Sequence, residues 1–165
     1  MRDLVNYILE CQSYLYDIDI PYANAIMWTV NDRGTKRVGK CSFKDGIYHI
    51  EINGILLKED IDETALKNTI IHEMLHTAPG CMDHGKKWKY YVDLVKGKYP
   101  QYDPSKRYSS NELGITPEEF YRGKKVYKVR CKCCRYIYAS TRSNKYYRNP
   151  SKYICAMCGS ELERI

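Results

Sequence analysis

Apolar side chains recur at helical spacing from the start of the chain. Leu4, Ile8, Cys11 and Leu15 share one stripe, which predicts an opening amphipathic helix that Pro21 separates from the next element. The period then shortens. Residues 25–30 (Ala-Ile-Met-Trp-Thr-Val) are rich in β formers, residues 31–34 are turn-like, and residues 37–43 form a second candidate strand. Asp45-Gly46 is a strong hairpin signal ahead of residues 47–52, where Tyr48, Ile50 and Ile52 alternate with His49 and Glu51. These runs predict a small antiparallel sheet.

Helical spacing returns after Asn53-Gly54. Asp60 with Glu63 three residues on resembles a capping box, and Leu66, Ile70, Ile71, Met74 and Leu75 follow, apolar on more than one side. That pattern predicts a buried central helix, flanked by the sheet and by a later helix, and stopped near Pro79-Gly80. The later helix carries Trp88, Tyr91, Val92 and Val95 on one face and Lys86, Lys87 and Lys89 on the other. His84 precedes Trp88 by four residues, so it is expected to point inward with the apolar face. Beyond Gly97, Pro100, Pro104, Ser105, Ser109 and Ser110 mark an irregular connection. Thr116-Pro117 then reads as a cap and first position of a short helix. A composition shift near 122 divides the chain into domains 1–121 and 122–165.

The chain has 165 residues, 44% of them hydrophobic, enough for one medium domain with a small appendage. A mean hydropathy of −0.59 argues against a membrane protein. Asp3 and Glu10 interrupt the first helical stretch, so neither a secretion signal nor a transmembrane segment is expected. Four of the eight cysteines fall in two C-x-x-C pairs, which in an intracellular chain bind metal more often than they form disulfides. A cytoplasmic location follows. Residues 1–121 hold 15 basic and 18 acidic side chains, whereas residues 122–165 hold 12 basic and 2 acidic, a net of +10. The asymmetry points to a polyanionic partner for the tail.

The central helix carries His72-Glu73-Met74-Leu75-His76, an H-E-x-x-H pentad. Histidines at i and i+4 face one side of a helix and can reach one ion, and three protein ligands with an open position suit catalytic zinc. Glu73 stands beside that position, placed to take a proton from water. Such pentads also occur by chance on ordinary helices, with the histidines capped or solvated. His84 supplies a third candidate ligand. His49 has no partner at ligand spacing and reads as a strand residue.

Cys131, Cys134, Cys155 and Cys158 form C-x₂-C pairs separated by 20 residues, the zinc-ribbon pattern. Four thiolates close a tetrahedron, so this second zinc is structural, and it would supply much of the tail's folding energy. Cys133 could replace Cys134; the two-residue spacer favours Cys134. A redox role for the pairs is the weaker alternative. Cys11, Cys41 and Cys81 read as buried thiols. Lys124, Lys125, Lys128, Arg130, Arg135, Arg142, Lys145 and Arg148 are interleaved with Tyr127, Tyr136, Tyr138, Tyr146, Tyr147 and Tyr153. Cations neutralise phosphates and rings stack on unpaired bases, so DNA or RNA is the expected partner. The competing account is a solvated surface over a tyrosine-built mini-core.

Thr69-Ile70-Ile71 leading into the pentad, His84-Gly85, Trp88, the strands through Gly39-Lys40-Cys41 and Ile50-Glu51-Ile52, and the terminal ribbon together resemble the SprT-like family. That family includes bacterial SprT and the protease domain of eukaryotic Spartan. The resemblance implies an α+β, zincin-like metalloprotease domain followed by a β zinc ribbon. It also implies His72, His76 and His84 as zinc ligands, Glu73 as general base, and, by analogy with Spartan, action on proteins crosslinked to DNA. Spacing alone leaves Glu112, Glu118 and Glu119 open as a third ligand, and no second oxyanion donor is evident. The sequence therefore predicts a zinc metallopeptidase docked on nucleic acid by its ribbon. The alternatives are a nucleic-acid-binding adaptor with a vestigial peptidase domain, and a general peptidase capped by the ribbon.

Overall fold

The computed structural model describes residues 1–33 and 36–165. The chain divides into two compact units, Met1–Tyr108 and Ser109–Ile165. This division precedes the composition break near 122, because polar side chains tie residues 109–121 to the ribbon. Asn111 donates through Nδ2 to the Ile137 carbonyl at 2.7 Å, Tyr136 donates to Glu112 at 3.1 Å, and Lys128 pairs with Glu118 at 2.6 Å. The hydrophobic pattern carries no trace of those contacts.

In the first unit, α1 (Leu4–Asp17) is capped by Asp3, whose carboxylate accepts from the Val5 N–H at 3.0 Å, and Ile8, Cys11 and Leu15 face inward. Strands β1 (Ile26–Asn31), β2 (Gly39–Lys44) and β3 (Ile47–Asn53) form a sheet in the order β1-β3-β2. The Asp45-Gly46 turn takes φ of +52° and +79°, the left-handed geometry of a two-residue hairpin, and sets β2 antiparallel to β3. β1 pairs with β3 in parallel, so the sheet is mixed and the expected antiparallel sheet is corrected. The hairpin occupies one edge of β3 and leaves the other edge to β1. In that register Trp28 stands opposite Ile50 and Val30 opposite Ile52, with all four on the face that buries Ile50 and Ile52 completely. Alternation specifies a strand's face but not its edge or direction. The turn expected over 31–34 lies partly outside the described residues.

Helix α2 (Glu63–Leu75) begins at Asp62 rather than Asp60: the Asp62 carboxylate accepts from the Thr64 N–H at 2.9 Å. Leu66, Ile70, Ile71, Met74 and Leu75 are fully buried, each contributing about 1.5–3 kcal/mol by leaving water. α1 packs along α2, and β2 and β3 lie against it. α3 (Lys86–Lys98) buries Trp88, Tyr91, Val92 and Val95 and exposes Lys86, Lys87 and Lys89, as its spacing predicts. The connection after α3 is irregular but anchored, with Tyr102 and Tyr108 buried.

The second unit holds α4 (Pro117–Phe120), capped by Thr116, whose hydroxyl accepts from the Glu119 N–H at 3.1 Å. Strand β4 (Tyr127–Cys131) runs antiparallel between β5 (Ile137–Ser140) and β6 (Leu162–Arg164). Helix α5 (Lys145–Arg148) and a 3₁₀ turn at Pro150–Lys152 bridge β5 to the second cysteine pair. The core is Val129, Cys131, Cys155 and Leu162, with Tyr138, Tyr147 and Tyr153 packed against it. Among the described residues no helix is long and apolar enough to cross a membrane.

Candidate metal centres and active site

α2 ends in the pentad, with His72 in its last turn and His76 as its cap. Their Nε2 atoms lie 3.3 Å apart, and His84 Nε2 lies 3.2 Å from that of His72. One ligand atom from each imidazole falls within 4.8 Å of the others. His84 is not inward-facing as its spacing predicts. It precedes α3, is exposed, and converges on His72 from the rim. His72 Nδ1 lies 2.7 Å from the Pro104 carbonyl and His76 Nδ1 lies 2.8 Å from the Cys81 carbonyl. A carbonyl only accepts, so both Nδ1 atoms carry hydrogen and both Nε2 lone pairs point at the common centre. Burial pushes His72 down to about 4, with the neighbouring imidazoles and Arg107 adding to it and the Pro104 carbonyl opposing. Burial also lowers His76. The His72 and His76 rings are therefore neutral at pH 7, the form that coordinates metal. Lone pairs aimed at one point repel, and a cation at their centre removes that repulsion, so the donor set fits a divalent metal.

Side chains around the imidazoles hold them in place. The Trp88 indole lies 5.0 Å from His72, 5.7 Å from His76 and 4.5 Å from His84, centroid to centroid. Asn68 lies one turn before His72 and is buried. It donates to Tyr108 Oη at 2.8 Å and accepts from the Asp103 N–H at 2.9 Å, pinning the segment that presents the Pro104 carbonyl. Sequence reasoning missed Asn68; its signal was a lone amide one turn before a candidate ligand on the same helix.

Glu73 is 5% exposed. Gly39, at the start of β2, makes room for it: a Cβ there would stand 2.5 Å from Glu73 Oε1 and 2.7 Å from Thr69 Cγ2. Burial pushes the Glu73 carboxyl up to about 7, against the Arg37 charge and a hydrogen bond from the Cys41 N–H. A carboxyl that titrates near neutrality can both take and return a proton. Cys41 is only partly buried, whereas Cys11 and Cys81 are buried as expected. The other glutamates left open by spacing belong to the second unit, where Glu112 accepts from Ser109 and Tyr136 and Glu118 pairs with Lys128. His49 lies on β3 opposite Met27 and Ser42 and is not a member of the His72, His76 and His84 group.

The cysteines form the second candidate centre. Cys131 and Cys158 sulfurs are 3.4 Å apart, those of Cys134 and Cys155 are 3.5 Å apart, and all four fall within 4.8 Å of one another. Cys134 joins the group, and exposed Cys133 stays outside it. Gly159 at φ +73° lets its N–H reach the Cys155 carbonyl at 2.8 Å, closing the knuckle. Tyr138 Oη lies 3.2 Å from Cys155 Sγ and accepts from the Ala156 N–H at 3.0 Å. That phenol, with the Met157 and Cys158 N–H groups, pulls Cys155 down to about 6 and favours its thiolate. Tyr138 reads in the sequence as one of many interleaved tyrosines, and its role at the sulfur was missed.

The basic residues of the ribbon are not equivalent. Lys128 pairs with Glu118 and Lys132 with Glu161, both at 2.6 Å. Arg130 and Arg135 share Glu163, at 2.6 and 3.9 Å. Arg142, Lys145 and Arg148 are exposed around α5, and Lys124 and Lys125 are exposed ahead of β4.

A model of the SprT-like family matches residues 15–108. Over 124 residues the chain is 28% identical to Protein SprT of Escherichia coli O1:K1, covering 70% of this chain and 66% of that protein. The same identity and coverage hold for Protein SprT of Escherichia coli O139:H28 (strain E24377A) and of Escherichia fergusonii. The match thus spans just under two thirds of the length of these relatives.

Proposed function

The chain belongs to the SprT-like family, and from that premise we propose that Met1–Tyr108 is a zincin-like, zinc-dependent metalloendopeptidase domain. The basic unit that follows directs it to nucleic-acid-associated proteins in the cytoplasm, those crosslinked to DNA among them. The observation that carries this reading is the convergence of three imidazoles, with His76 Nε2 and His84 Nε2 at 3.3 and 3.2 Å from His72 Nε2, beside a buried carboxyl. His72, His76 and His84 would hold the ion. Zinc bound there would supply Lewis acidity, enough to polarise a peptide carbonyl and to lower the pKa of a nearby water so that it can be deprotonated at neutral pH. Glu73 takes the water proton on a carboxylate oxygen and returns it to the departing amine nitrogen. Gly39 and Thr69 limit where that carboxylate can sit, and the Pro104 and Cys81 carbonyls keep both helix imidazoles in the coordinating tautomer. Cys131, Cys134, Cys155 and Cys158 would hold a second, structural zinc. An adaptor without activity gives no reason to bury a carboxyl at this position.

The test is cleavage of a DNA-binding protein by the full chain, with and without single- or double-stranded DNA, alongside metal analysis. Wild type is expected to carry two zinc ions and to cleave when DNA is present. Glu73→Gln is expected to keep both ions and to lose about 10²–10⁴-fold in rate. Equal cleavage without DNA removes the docking role and keeps the peptidase. No cleavage by a fully loaded chain leaves the adaptor.

A further inference from the structure

We propose that Phe43 and Tyr48 form an apolar shelf that selects a bulky apolar side chain of the protein substrate, next to the bond to be cleaved. This rests on the reading of Glu73 as general base and assigns that site its side-chain preference. The shelf lies on the sheet face that packs on α2. In register, Ile26, Tyr48 and Phe43 form one row across β1, β3 and β2; the next row is Trp28, Ile50 and Cys41. Gly39 stands against Thr69 and Glu73, and the Cys41 N–H reaches the Glu73 carboxylate. β2 therefore advances towards the C-terminal end of α2, and Phe43, the next residue on this face, lies where the helix stops after Leu75. The approach to β1 is at the same level, since the Ala23 N–H donates to Thr77 Oγ1 at 3.0 Å.

With the helix ended, this row stays open. Ile50 in the next row is fully buried, whereas Ile26 and Tyr48 are half-buried and Phe43 is 55% exposed. Phe120, the other phenylalanine of the chain, is buried. The Phe43 and Tyr48 rings meet at 4.7 Å, centroid to centroid, which braces the Phe43 ring from one side and leaves the rest of it to solvent. Two residues along a strand span about 7 Å, so Phe43 stands about that far from Cys41 and the Glu73 carboxylate it holds. An extended peptide covers the same span in two residues. A peptide bond attacked beside Glu73 thus brings one flanking side chain over the Phe43–Tyr48 pair. An aliphatic or aromatic side chain leaves water there, and a charged one would lose hydration without gaining a partner.

The test is mass-spectrometric mapping of the cuts that the full, zinc-loaded chain makes in an unfolded casein with DNA present. Bulky apolar residues are expected at one position flanking the cuts. In quenched fluorogenic peptides of the preferred sequence, Phe over Ser at that position should raise kcat/KM about 5- to 50-fold. Phe43→Ser is expected to shrink that ratio to about threefold or less, Phe43→Leu to keep most of it, and Phe43→Arg to favour Asp or Glu instead. Labelled versions of the two peptides bound to Glu73→Gln should show the same order of affinity in anisotropy, and equal binding would overturn the shelf. A ring pair that only braces the hairpin would lower all cuts alike, so an unchanged ratio in Phe43→Ser also overturns it. Wild-type cuts without apolar preference would remove the shelf and keep the peptidase. Absence of any cut by the zinc-loaded wild type would overturn the peptidase reading, and the shelf with it.

Discussion

The two candidate metal centres stand on opposite kinds of scaffold. In the first unit the histidines end a helix whose apolar residues are fully buried, and carbonyls of the protein orient two of the rings. In the second, two of the four buried core residues are themselves cysteines, and the rest of the packing is tyrosine laid over them. The first group is an addition to a fold that exists without it. The second group is a large part of the fold it belongs to.

Removing metal should separate the units most sharply. A structural zinc in a small cysteine module contributes an apparent 10–16 kcal/mol or so, more than a core of this size can replace. Chelation, or Cys155→Ser, is therefore expected to abolish amide protection across β4, β5 and β6 while α1 and α2 keep theirs. Hydrogen exchange read by mass spectrometry measures both at once, and surviving protection in the ribbon strands would break the comparison. Gly39→Ala probes the helix side. A Cβ placed 2.5 Å from Glu73 Oε1 must displace that carboxylate or the strand. The expectation is about 10²-fold lower kcat with KM and zinc content little changed, together with about 1–3 kcal/mol of lost stability. A normal kcat would show that the carboxylate has room to move.

Asn68→Ala is the next smaller effect. It leaves Tyr108 Oη and the Asp103 N–H without their buried partner, costing about 1–3 kcal/mol, and frees the segment that presents the Pro104 carbonyl. Zinc affinity at the histidines should fall about 10- to 100-fold, as for other groups that orient a ligand, with the cysteine site unaffected. Competition against a chromogenic chelator reads the two sites separately, and equal losses at both would sink the assignment.

The smallest effect comes from a polar cluster that needs no metal. Lys67, buried on α2, pairs with Glu10 at 2.8 Å and Glu63 at 3.2 Å. The Tyr7 hydrogen bond, then Lys67, lowers Glu63; for Glu10, burial is outweighed by Lys67 and Tyr14. Both carboxylates thus stabilise the fold above their unfolded value of about 4.3, and that contribution disappears as pH falls through the lowered folded values. Lys67 is held above its ordinary range by the same pairs, which outweigh its burial. Its share is full below about 10.4 and is lost only as pH rises through the raised folded value. The Tm difference between wild type and Lys67→Met should therefore be flat between about pH 5 and 10 and change in acid, where wild type falls more steeply; parallel profiles would show that the cluster contributes nothing.

Much of this molecule was legible as spacing. The period of Leu4, Ile8, Cys11 and Leu15, the turn at Asp45-Gly46 and the cap at Thr116 are local, and each appears where the pattern places it. The histidine pair and the two cysteine pairs are local as well, since an i, i+4 step on a helix and a two-residue knuckle hold their side chains together wherever the element sits. Only the tertiary structure decided that β1 joins β3 in parallel, that His84 comes from the rim, and that residues 109–121 pack with the ribbon. Packing alone also set Gly39 against Glu73, Asn68 against the 103–108 segment, and glutamates against one set of ribbon cations. These depend on which surfaces meet across long loops, and a contact between distant residues leaves no period in the chain.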